Sequence, residues 1–171
     1  MKKLEVALFL LVFAILATAC SGTTTSTASL DALIEPGEKI GDFLITTGVQ
    51  GNFTYPFDIP CTEPGENNTS NCEAPVGKAI NISTGIYDKT GSGNLDQIWT
   101  KSNYQMFIND RPVDMKAFGI IEYEHPSIGI IRFANVTIIA SNPGEITVRD
   151  TGLYDNGEAF ESTSIYSFSS P

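Results

Sequence analysis

The densest group of oxygen-bearing side chains lies in a glycine-rich segment that reads DKTGSGNLD over residues 88–96. Calcium takes six to eight oxygen ligands, and alternating oxygen side chains on a turning loop can supply them. One prediction is therefore a weak calcium site whose ligands are Asp88, Ser92, Asn94 and Asp96. The alternative, which we favour, is a loop between strands in which Asp and Asn side chains bond their own backbone. A second acidic turn, at residues 150–155, is open to the same two interpretations.

Aromatic side chains form a second group that could bind a ligand. Trp99, the single tryptophan, lies close in sequence to Tyr104 and Tyr87, and these three rings could stack on the apolar C–H faces of a sugar. The aromatic residues of segment 53–57 (FTYPF) alternate, which predicts a strand with its rings on one face. The alternative, favoured for most of these aromatics, is that they fill the core, as a buried tryptophan commonly does in β-sandwiches.

Catalytic groupings are sparse in the sequence. His125, the single histidine, could act as a base on Ser127, but a side chain two residues away in a turn seldom has that approach. A solvated or turn-capping histidine is the favoured interpretation. Glu122 and Glu124 share one strand face, which is more typical of a solvated surface than of a glycosidase pair. We predict no catalytic residues and keep a hydrolase with carboxylates near Gly91 as an alternative.

The N-terminal residues carry a targeting pattern. Lys2 and Lys3 precede an apolar stretch at residues 6–14, and small residues then lead into Ala19 and Cys20. A basic start, a 7–15-residue apolar core and a small-residue cleavage site are typical of a secretory signal peptide. Because the segment ends on cysteine, it resembles the lipobox of bacterial lipoproteins.

That resemblance implies a cell-envelope location outside the cytoplasm and a lipid anchor on Cys20, made of diacylglycerol and usually an N-linked palmitate. Two or three acyl chains give stable membrane anchoring where one chain gives marginal binding. The expected organisation is a signal peptide at residues 1–19, a lipidated cysteine and Ser/Thr-rich tether at residues 20–33, and a folded domain at residues 34–171.

The remaining cysteines predict a disulfide, and the net charge excludes one class of partner. With Cys20 lipidated, Cys61 and Cys72 form a pair in an oxidising compartment, which predicts a disulfide. Removing residues 1–19 reduces 10 basic and 20 acidic residues to 8 and 19, so the formal charge changes from −10 to −11. This acidity argues against nucleic acid as a partner.

The residue pattern after Ile40 is typical of β-strands throughout. Ile80–Ser83 alternates apolar and polar residues, as a strand with one face in water does, and residues 104–108, 130–140, 146–148 and 165–168 are rich in β-branched and aromatic residues. Asn109-Asp110 predicts a tight hairpin with Pro112 at an edge, and residues 113–118 predict a helix of one or two turns. Residues 142–150 (NPGEITVRD) resemble a late strand of bacterial immunoglobulin-like modules. The predicted fold is an all-β, single antiparallel β-sandwich, immunoglobulin-like or jelly-roll-like.

Together these features predict a lipid-anchored extracytoplasmic β-sandwich lipoprotein. Its expected role is non-enzymatic binding of an envelope protein or a glycan, with no cofactor except the possible calcium. A carbohydrate-active hydrolase and a purely structural envelope lipoprotein are the alternatives.

Overall fold

The structure is a computed structural model that describes residues 32–87, 93–127, 129–154 and 156–170. The expected signal peptide, Cys20 and nearly all of the expected tether lie outside these residues, as do two of the four predicted calcium ligands, Asp88 and Ser92.

The described residues form mostly strands, in agreement with the all-β prediction. The strands are β1 (Glu38–Ile40), β2 (Phe43–Thr47), β3 (Thr69–Pro75), β4 (Ala79–Asn81), β5 (Ile86–Tyr87), β6 (Gln105–Ile108), β7 (Arg111–Pro112), β8 (Ile120–His125), β9 (Gly129–Ala134), β10 (Val136–Ala140), β11 (Gly144–Leu153) and β12 (Ala159–Ser169). The α-helices are α1 (Leu95–Ser102) and α2 (Met115–Phe118), and 3₁₀ turns occupy Pro56–Asp58 and Glu66–Asn68. Within this part of the chain, no helix has the length and apolar character needed to cross a membrane.

The strands assemble into three sheets arranged as a sandwich. The first has the order β1-β2-β10-β4, the second β3-β12-β11-β6-β7 and the third β5-β9-β8. The predicted sandwich is confirmed. One pair departs from the all-antiparallel expectation, because β3 runs parallel to β12. These two strands are far apart in sequence, so no local turn dictates their relative direction.

The main core lies between the four-stranded and five-stranded sheets. Along the strands, apolar side chains alternate inward, as the period of two requires. Phe43 of the first sheet meets Phe168 of the second, with ring centroids 5.5 Å apart. Ile45, Ile138 and Val148 are fully buried in the same cluster. Burial of this apolar surface is the main force that holds the two sheets together.

A smaller cluster packs under the third sheet, around Phe53, Ile131 and Phe133. Gly48 is required here because a Cβ atom at this position would lie 2.4 Å from the Phe53 ring. Asn135 separates β9 from β10 and exchanges two hydrogen bonds with the Gly48 backbone, at 2.9 and 3.0 Å. The third sheet is therefore fixed to the end of β2.

Several local predictions are confirmed. Asn109 and Asp110 have φ values of 47° and 63° in the turn between β6 and β7, and Pro112 lies in the edge strand β7. The predicted short helix is α2, whose first turn is capped by the Asp114 carboxylate, which accepts bonds from two backbone N–H groups. Cys61 and Cys72 form the predicted disulfide, with a Cα–Cα distance of 4.0 Å.

Three local predictions are wrong. Segment 53–57 is not one strand, because Pro56 begins a 3₁₀ turn. The strand at Ile80 does not have one face in water, because residues 80–83 are all buried. Helix α1 was not foreseen, although its buried or half-buried positions Leu95, Ile98, Trp99 and Ser102 have helical spacing.

Candidate functional site

The inner face of the five-stranded sheet changes from apolar to polar along its length. On β11 the buried side chains are Ile146, Val148 and then Asp150, which is 3% exposed. The neighbouring strands follow the same order, with Phe168, Tyr166 and Ser164 on β12 and Ala74, Cys72 and Ser70 on β3. One end of the sandwich interior is therefore apolar, and the other end carries hydroxyl and carboxyl groups.

A cleft of about 250 Å³ opens at the polar end. Five hydroxyl side chains contribute to it, alongside the rings of Phe57 and Phe133 and the disulfide residue Cys61. None of the described residues that line it carries a formal charge. The lining residues are Pro56, Phe57, Cys61, Ser70, Ile82, Ser83, Thr84, Gly85, Ile131, Phe133, Ser164 and Tyr166.

Aromatic side chains crowd one rim of the cleft. Phe57 stacks on Tyr55 with ring centroids 5.4 Å apart and an interplanar angle of 9°. Tyr123 lies 4.2 Å from Tyr55 and 5.5 Å from Phe57, and His125 meets the Phe57 ring edge-on at 5.3 Å. Phe57 is nonetheless 44% exposed, so part of its ring faces solvent beside the cleft. We call Tyr55, Phe57, Tyr123 and His125 the aromatic rim.

The buried Asp150 carboxylate is the centre of a hydrogen-bond network that reaches the cleft at Thr84. Tyr104 donates its phenol to one carboxylate oxygen at 2.6 Å, and the Thr84 hydroxyl donates to the other at 2.5 Å. The Thr84 backbone N–H in turn donates to the Tyr104 oxygen at 3.0 Å. Burial raises the pKa of the Asp150 carboxyl from 3.8 to about 6, although these hydrogen bonds oppose the shift. Burial also raises the pKa of the Tyr104 phenol well above its ordinary value.

This network corrects the expectation of a solvated acidic turn at residues 150–155. Asp150 is a strand residue on the inner face, and its register partners Met106 and Ser162 lie on the two neighbouring strands. The sequence misled because Thr151 and Gly152, which follow Asp150, are themselves typical turn residues.

The predicted aromatic ligand site is divided. Trp99 and Tyr104 meet, with ring centroids 5.6 Å apart, and both pack against the main core. The phenol of Tyr104 is held by Asp150. Tyr87 lies on β5 and is 39% exposed. A ligand site at these three residues stays a prediction, while the favoured core interpretation describes Trp99 and Tyr104.

The described part of the predicted calcium loop is occupied by other contacts. Asn94 precedes the first residue of α1, and Asp96 accepts a bond from Arg132 at 2.6 Å. The Arg132–Asp96 ion pair joins α1 to the third sheet, and Arg132 also pairs with Glu122 within that sheet. Among the residues that the structure describes, no group of three or more His, Cys, Asp or Glu side chains could hold a metal ion. Calcium binding stays a prediction.

The remaining catalytic candidates have structural contacts. His125 accepts a hydrogen bond at Nδ1 from the Ser127 backbone N–H at 3.2 Å, which is the turn-capping interpretation. Glu122 and Glu124 are both exposed on β8, as a solvated face requires, and Glu122 forms the ion pair with Arg132. In the described part of the chain, Glu122, Glu124 and Asp96 are all absent from the lining of the cleft.

Four residues of the cleft were not predicted as site residues from the sequence: Ser70, Thr84, Ser164 and Tyr166. A signal for two of them was present in residues 162–169 (STSIYSFS). In a strand, alternate residues share a face, which places Ser162, Ser164, Tyr166 and Phe168 together. Thr84 joins them only through contacts between distant parts of the chain, which no local pattern encodes.

Comparisons with known proteins assign no family to this chain. No protein-family model matches it, and neither the curated proteins nor the solved structures contain a significant match. The cleft and the N-terminal sequence are therefore the two features that bear on function.

Proposed function

We propose that this chain is a lipid-anchored, extracytoplasmic binding module. The observation that carries the binding role is the uncharged cleft at the polar end of the sandwich, with the exposed Phe57 ring at its rim. Binding sites are typically concave, mostly apolar, and carry a few placed polar groups that orient the ligand. The cleft has this composition.

The anchoring role has separate support in the sequence. The N-terminal segment resembles a lipobox that ends at Cys20, and a Ser/Thr-rich segment separates this cysteine from the folded domain. The disulfide between Cys61 and Cys72 is consistent with an oxidising compartment. In this proposal the lipid holds the domain at the membrane surface, and the cleft binds a component of the surroundings.

Metabolic labelling tests the anchor. The full chain, expressed in a bacterial host, should incorporate an alkyne analogue of palmitate and sediment with membranes. Cys20→Ala should lose both properties, while Cys61→Ala, which leaves the lipobox intact, should retain the label. Equal labelling of the wild type and Cys20→Ala would contradict lipidation at this cysteine.

Site-specific crosslinking tests the binding role in intact cells. A photoreactive benzoylphenylalanine at Phe57 should give a defined adduct on irradiation. The matched control places the same amino acid at Tyr154, an exposed aromatic that does not line the cleft. Identical adducts from both positions, or none from either, would contradict a binding role for the cleft.

A further inference from the structure

We infer that the cleft binds a single ring of a neutral saccharide. This inference rests on the proposed binding function and names its ligand class. It depends on three properties of the cleft: its size, the direction of its hydrogen bonds and its lack of charge.

The size of the cleft limits the ligand to one small ring. Pockets for drug-sized ligands have volumes of about 300–1,000 Å³. The cleft has about 250 Å³, which is below this range. Because the lining residue Phe57 is 44% exposed, the cleft reaches solvent, and a longer chain could continue outward while one ring occupies the cleft.

Two hydroxyl groups of the cleft have their protons committed to the protein. The Thr84 hydroxyl donates to Asp150, and the Ser83 hydroxyl, which is 1% exposed, donates to a backbone carbonyl oxygen at 2.7 Å. The exposed Thr84 oxygen keeps lone pairs that a ligand donor can use, and the half-buried hydroxyls of Ser70 and Ser164 can donate or accept. A polyol, whose O–H groups also donate and accept, satisfies this mixture.

Part of the cleft surface is apolar. Phe57, Phe133 and Ile131 contribute ring and aliphatic surface to the cleft. Sugar rings combine these two requirements in one molecule, because their hydroxyls lie at the ring edge and their C–H groups form apolar faces. A purely apolar ligand would desolvate the lone pairs of the exposed Thr84 and half-buried Ser164 oxygens without offering a donor, which is unfavourable.

Charge argues against ionic ligands. The described lining residues are uncharged, and the chain has a formal net charge of −10, which repels anions. Asp150 is unavailable to a cation because it is 3% exposed and both of its oxygens accept protein hydrogen bonds. A neutral ligand is the remaining class.

Saturation-transfer NMR on the lipidated full chain in nanodiscs tests this inference. The neutral probes are methyl β-glucoside, methyl β-galactoside and methyl N-acetyl-β-glucosaminide, at concentrations on the order of the millimolar Kd expected for a single ring. Glucuronate is the matched anion, and choline is the cation. We expect transfer to the ring C–H protons of at least one neutral glycoside and none to glucuronate or choline.

Two variants locate the binding. Phe57→Ala and Ser164→Ala should each weaken glycoside binding by about tenfold or more, and Tyr154→Ala should leave it unchanged; thermal melts confirm that each variant is folded. Absence of transfer from every neutral glycoside, preference for an ionic probe, or equal binding by Phe57→Ala would overturn the inference. If the crosslink at Phe57 persists without glycoside binding, the binding module stands and the ligand class is wrong.

Discussion

The two ends of the sandwich interior are built from the same strands but differ in the polarity of their buried side chains. At the apolar end, Phe43, Ile146 and Phe168 fill the space between the sheets. At the polar end, Asp150 and Ser164 continue the same strands, and the interior opens into the cleft. Burial of apolar surface stabilises the apolar end, whereas desolvation of polar groups at the polar end costs part of that stability. In our proposal, a ligand bound in the cleft compensates for this cost at the polar end.

The largest expected effect lies at the apolar end. Ile146 is 1% exposed, so Ile146→Ala should lower the free energy of unfolding by about 2–5 kcal/mol through lost burial and a cavity. Urea denaturation followed by circular dichroism measures this change. The same substitution at Ile130, which is 48% exposed, should cost about 0.5 kcal/mol or less. Similar losses for both variants would contradict the assignment of the core.

The polar end should make stability depend on pH. The pKa of Asp150 is about 6 in the folded protein against 3.8 as its ordinary value, so the folded state binds the proton more tightly. Its contribution is fully present below about pH 4 and is lost as the pH rises through 6. The expected loss across this window is about 3 kcal/mol, from about 1.36 kcal/mol for each pKa unit.

Asp150→Asn isolates this effect because asparagine does not titrate. The difference in unfolding free energy between wild type and Asp150→Asn should change by about 3 kcal/mol between pH 3 and pH 7. Asp110→Asn is the control, since Asp110 has an 89% exposed side chain and asparagine tolerates its positive φ. Parallel pH profiles for all three proteins would show that Asp150 is not the titrating group.

Sequence patterns predicted the frame of the molecule better than its site. The Asn109-Asp110 hairpin and the Cys61–Cys72 pair are encoded by local turn chemistry and by cysteine count, so both were predictable. Asp150 was not, because its burial depends on Tyr104, which lies 46 residues away in sequence. Helix α1 was obscured by the glycine-rich residues that precede it, although its apolar spacing is helical.

The disulfide should stabilise the polar end by a smaller amount. Replacing both Cys61 and Cys72 with alanine should lower the free energy of unfolding by about 2–3 kcal/mol, because the unfolded chain regains the freedom of an 11-residue separation. Chemical denaturation of the double variant measures this loss. Cys61 also lines the cleft, so glycoside binding should weaken along with stability. Unchanged stability in the double variant would mean that the pair contributes no constraint.

The smallest stability effect is expected at Ser164, and it separates a binding role from a structural one. Ser164 is half-buried at the cleft, where water reaches it, so Ser164→Ala should cost less than about 1 kcal/mol of unfolding free energy. Ser167→Ala, on the outer face of the same strand, is the control and loses one exposed hydrogen bond to Glu145. If the polar end exists for a ligand, the two variants should match in stability and differ in binding. A loss of 2 kcal/mol or more at Ser164, about the penalty for an unsatisfied buried group, would instead make this hydroxyl part of the packed interior.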